Sequence, residues 1–94
     1  MIKHIVFWRL NDAARAPAIK AALEGLNGRI PGLIRLEVGV DSSGDPDCAQ
    51  VALYSEFESR EALAAYHHHP EHVAVAPLVK AARTERRVVD YEVE

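Results

Sequence analysis

The chain has one cysteine, Cys48, among 94 residues. A single thiol closes no disulfide within the chain and builds no cysteine-based metal cage. That usage fits a reducing compartment such as the cytoplasm. There is no excess of positive charge either: 11 Lys and Arg stand against 14 Asp and Glu, a net charge of −3. Such a balance offers no basic footprint for a nucleic acid. Long apolar runs are missing. The opening stretch Ile2-Lys3-His4-Ile5-Val6-Phe7-Trp8-Arg9 is interrupted by Lys3, His4 and Arg9. It lacks the continuous apolar core of a secretion signal, and no stretch approaches a membrane-crossing length. A phosphate-binding glycine loop, a nucleotide fingerprint and a Ser-His-Asp arrangement are also absent, so no cofactor is expected.

What remains is a composition of 49% hydrophobic and 27% charged residues, that of a folded domain. The length predicts one domain spanning residues 1–94. A chain this short buries only a modest fraction of its surface, and pairing with a second copy would remedy that.

Residues 2–10 read as a strand rich in Ile, Val, Phe and Trp. Its even positions (Ile2, His4, Val6, Trp8, Leu10) and its odd positions (Ile5, Phe7) are both largely apolar. Successive strand residues face opposite ways, so both faces need a cover. Asn11 and Asp12 can cap a helix with Pro17 in its first turn. Ile19, Ala22, Leu23, Leu26 and Ile30 keep helical spacing, and Gly28 is the expected stop. After the Pro31-Gly32 turn, residues 33–41 and 48–57 read as a strand pair joined by the polar loop 41–47, with Cys48 at a strand start. Ser59 can cap a second helix, which should break at His69-Pro70 and restart there, with a strain point at Pro77. Lys80, Arg83, Arg86 and Arg87 precede a last strand, Val88 to Val93, and read as a solvated helix C-terminal cap. The order β-α-β-β-α-β is that of a ferredoxin-like α+β fold with a four-stranded antiparallel sheet.

Four segments carry a family likeness: Ile2-Lys3-His4-Ile5-Val6, Ile30-Pro31-Gly32 leading into Leu36-Glu37-Val38-Gly39, Tyr66-His67-His68-His69-Pro70-Glu71-His72, and Val89-Asp90-Tyr91. In that order the chain resembles the stress-responsive dimeric A/B barrel family, the Tyr-x-x-His-Pro-x-His element being the most specific part. The resemblance implies that two four-stranded sheets pack face to face and close into a dimeric α/β barrel with helices outside. Some plant relatives are polyketide cyclases that close a ring by aldol condensation without a cofactor. Their catalytic pair corresponds to Tyr66 and His72, and His4 and His69 also match histidines there. Those relatives carry Ile-Ile where this chain has His67-His68, which makes the neighbourhood more polar.

Tyr66, His69 and His72 are spaced by three, near one helical turn each. They are expected to meet His4 at a cavity between sheet and helices, lined by Val6, Trp8, Leu23, Leu53 and Phe57. His72 would act as general base and Tyr66 as hydrogen-bond donor to a substrate carbonyl. Consecutive helical histidines point apart, and His69 with His72 gives two ligands where zinc needs three or four, so no metal is expected. His67 and His68 are expected at the solvated surface. Three functions follow: a structural stress-associated homodimer, a carrier of a small hydrophobic ligand, or a cofactor-independent cyclase. No nucleic acid or membrane partner is expected.

Overall fold

The computed structural model describes all 94 residues. Four strands, β1 (Ile2–Leu10), β2 (Leu33–Val40), β3 (Val51–Phe57) and β4 (Arg83–Glu92), form one sheet in the order β2-β3-β1-β4. All neighbours are antiparallel. The helices α1 (Ala16–Glu24), α2 (Arg60–His68) and α3 (Pro70–Ala82) follow a short 3-10 turn, Ala13–Arg15, and lie over one face. The even residues of β1 point under the helices: Ile2, His4, Val6, Trp8 and Leu10 are all buried. With Ile19, Leu23, Leu26, Leu53, Phe57 and Tyr66 they belong to a single core.

Local chemistry fixes the joints. Asp12 Oδ1 accepts the Ala14 N–H at 3.0 Å, and Ser59 Oγ accepts the Ala62 N–H at 3.1 Å, the expected helix caps. His69 is extended (ψ 135°), as the residue before a proline should be, and Pro70 opens α3. Pro77 sits inside α3, which continues past it to Ala82. The free edge of β2 is closed by side chains. Asn27 both accepts from the Leu36 N–H (2.8 Å) and donates to the Leu36 carbonyl (2.7 Å), and Glu24 accepts from the Val38 N–H at 3.0 Å. An edge so occupied cannot recruit another strand.

Several boundaries differ from expectation. The first helix ends at Glu24, not near Gly28. Residues 25–30 wind on through tighter three-residue bonds, Leu26 N–H to Leu23 and Arg29 N–H to Leu26, and Gly28 turns at φ +78°. Leu26 and Ile30 keep their core places from this turn. β3 begins at Val51, which leaves Cys48 in the loop. The largest difference is β4, which starts at Arg83 instead of Val88. Its basic start pairs with the far end of β1, Trp8 opposite Arg86 and Leu10 opposite Arg83. Ladder pairing with a long central strand outweighs the weak strand character of Arg-Thr-Glu-Arg-Arg. Arg83 is both the C-cap residue of α3, its N–H donating to the Val79 carbonyl, and the first residue of β4, whereas Arg86 and Arg87 are strand residues, not part of a helix cap.

Candidate functional site

The helices do not cover the whole inner face. Every β4 residue except Arg83 is exposed, and a cavity of about 550 Å³ opens between β1, β4 and α3. Val6, Trp8, Leu23 and Leu53 form its floor. Val73, Ala76, Pro77 and Val79 form the helical wall. One end carries His4, Tyr66, His67 and His72, and the rim carries Lys80, Arg83 and Arg86.

His4 is buried (3% exposed) because β1 turns it under the helices. A buried imidazole needs partners, and the ladder supplies one: Asp90 lies directly across on β4. His4 Nδ1 donates to Asp90 Oδ1 at 2.5 Å. With Nδ1–H committed to a carboxylate, the neutral ring keeps its lone pair at Nε2. On the other side Ser55, fully buried, donates to the His4 carbonyl at 2.8 Å. The His4 ring meets Tyr66 and His67 edge-on at 6.4 and 5.5 Å between centroids.

Tyr66 and His72 are the closest pair of the cluster, with ring centroids 4.4 Å apart. A straight helix turns about 100° per residue, so six residues would leave these side chains roughly 120° apart. The break at His69-Pro70 removes that divergence. Burial pushes the Tyr66 hydroxyl up to about 12, so it stays protonated and can donate. Burial also holds His72 below its usual 6.5; His4, Lys80 and Arg86 push the same way and the His67 backbone opposes. His72 is therefore neutral at pH 7, and its Nδ1 is buried with no hydrogen-bond partner. His67 is lowered too, first by burial and then by His4, His72 and Arg86, with Asp90 opposing.

Of the residues expected at the cavity, His4, Val6, Trp8, Leu23, Leu53, Tyr66 and His72 line it. Phe57 is fully buried beneath Tyr66, centroids 5.0 Å apart, and does not reach the wall. His69 is elsewhere: its Nδ1 accepts the Glu71 N–H at 3.1 Å and caps α3. His67 is exposed, as expected, and its ring also lines the cavity, 5.6 Å from the His72 ring between centroids. Sequence reasoning also missed the roles of Asp90 and of the cationic rim. The signal for Asp90 was a buried strand histidine with no partner named for it. No group of three or more His, Cys, Asp or Glu side chains is arranged to hold a metal ion.

Comparison with known proteins agrees with this architecture. The sequence model of the Stress Responsive A/B Barrel Domain matches residues 2–93, and the chain belongs to that family. A dimeric protein of unknown function and ferredoxin-like fold from Bacteroides fragilis is 32% identical, covering 98% of this chain and 95% of that one, at a TM-score of 0.88. A protein of Arabidopsis thaliana is 24% identical, covering 100% and 96%, at 0.83. A hydroxynitrile lyase from Passiflora edulis is 21% identical, covering 99% and 93%, at 0.82. The last two likenesses speak for the fold alone. No curated protein matches the sequence. No helix is long and apolar enough to cross a membrane.

Proposed function

We propose that this chain forms a homodimer through the outer face of its sheet, and that each subunit binds a small, largely apolar carbonyl compound and moves a proton on it without a cofactor. The observation that carries the chemistry is the Tyr66–His72 pair, ring centroids 4.4 Å apart, at one end of the cavity. His72, neutral at pH 7, takes a proton from the carbon next to the carbonyl. The Tyr66 hydroxyl donates a hydrogen bond to the developing enolate oxygen. When the substrate bears a second carbonyl, the enolate carbon attacks it, one C–C bond forms, and the imidazolium returns its proton to the new alkoxide. This is an aldol-type ring closure, balanced in atoms and electrons with no added oxidant or reductant. His4, held by Asp90, positions the cluster from below. The dimer is supported by Phe7, Val89 and Tyr91, exposed on the face away from the helices, and by the dimeric state of the Bacteroides fragilis relative.

The test is deuterium uptake at the α-carbon of 2-octanone in D₂O, followed by proton NMR. The protein should accelerate exchange above buffer. His72→Ala should lower the rate by about 10²-fold or more, and Tyr66→Phe by about 10²-fold. No acceleration, or an unchanged rate in His72→Ala, would contradict the assignment.

A further inference from the structure

The two ends of the cavity differ in charge. His4 and Trp8 stand four residues apart on the same face of β1, roughly 13 Å along the strand. The His4 end holds the acid–base cluster. Opposite Trp8 across the ladder stands Arg86, and Arg83 faces Leu10 one step further on. Lys80 of α3 completes that rim.

Three observations converge there. First, the chain is acidic, 14 carboxylates against 11 cations, yet no Asp or Glu lines the cavity while three cations do. Second, none of the three takes part in any of the chain's ion pairs. Third, Trp8 is 94% buried by its 6% exposure, lines the cavity, and its Nε1–H has no acceptor. A buried donor left unpaired costs about 1–3 kcal/mol. The polar side chains at this end are donors only: ammonium and guanidinium groups accept nothing. No side chain at this end can supply the missing acceptor, and a bound group can. Trp8 and Arg86 are ladder partners, and a guanidinium together with an N–H suits a planar carboxylate, which can take paired bonds from the arginine and a further one from the indole.

We propose that the Trp8–Arg86 end is a carboxylate subsite, so that the molecule handled at Tyr66 and His72 is an amphipathic keto acid, with its carbonyl at the histidine end, its carboxylate at the arginine end and an apolar spacer along Val6, Leu23 and Leu53. The identity of the substrate rests on the proton-transfer reading above; the subsite itself does not.

Calorimetric titration with octanoate and with octanamide, matched in length and differing in charge, tests the subsite on the full chain at pH 7.5. Octanoate should bind roughly tenfold or more tightly than octanamide, the worth of hydrogen bonds to a charged group. Arg86→Gln should erase that ratio. Trp8→Phe should narrow the ratio, and Arg15→Gln, the same charge change on an exposed residue away from the cavity, should preserve it. A ratio near one in the wild type, or a ratio that survives Arg86→Gln, overturns the subsite. So does failure of both compounds to bind, even where 2-octanone is exchanged, and then the proton-transfer reading stands alone. If the ratio holds while 2-octanone is not exchanged, the subsite stands and the chemistry falls.

Discussion

The His4–Asp90 contact shows what a single buried polar residue asks of its surroundings. His4 occupies an apolar row on β1 and is tolerated because Asp90 is its ladder neighbour at 2.5 Å. Asp90→Ala leaves Nδ1 without a partner. Because the Asp90 side chain is 37% exposed, water screens the pair, and the expected loss is about 1 kcal/mol. Urea denaturation of Asp90→Ala against Asp90→Asn, which keeps an acceptor, reads it; equal midpoints for all three proteins would show the contact to be idle. Among the cavity residues, Tyr66, His72 and His4 were legible because they sit in recognisable segments. His69 shared the same motif but was drawn away by the backbone: an extended residue before Pro70 is better used to cap α3. His67 was rightly expected at the surface, but its place beside the cavity was not legible, because it depends on how α2 sits over β1.

Breaks between elements matter more here than the elements themselves. The His69-Pro70 interruption sets Tyr66 against His72, and the Pro31-Gly32 turn brings β2 beneath α2. Gly32 has φ +82°, and a Cβ there would stand 2.5 Å from the Ala62 Cβ. Gly32→Ala should therefore cost about 1–3 kcal/mol and lower the thermal midpoint; an unchanged midpoint would mean the turn can relax freely. Both breaks were readable from proline and glycine. The start of β4 was not. Arg83 to Arg87 carry no alternating apolar signal, and only the length of β1, set by residues distant in sequence, draws them into the sheet. The functional consequence was lost with it: a reading that ends the helix with these arginines cannot see a cationic cavity rim.

At the scale of the whole molecule, one sheet serves two purposes. Its inner face holds the core and the cavity. Its outer face leaves Phe7 (45%), Val89 (48%) and Tyr91 (40%) exposed, a grouping that marks an interaction surface. The double-sided apolar pattern of β1 made this face visible in the sequence. Phe7→Glu should halve the mass seen by light scattering at micromolar concentration, by placing a charge in the pairing surface; a wild-type mass equal to one chain would contradict the dimer. The proton-transfer claim meets its most direct test in the pH dependence of 2-octanone exchange, measured alongside the NMR titration of the His72 imidazole. A base must be neutral to act, and burial lowers the His72 pKa. The rate should therefore be lost as pH falls through a midpoint below 6.5, coincident with the His72 titration, and stay level up to the alkaline range where Tyr66 ionises, near 12. An acid midpoint that does not follow His72, or a rate that climbs steadily with hydroxide, would contradict it.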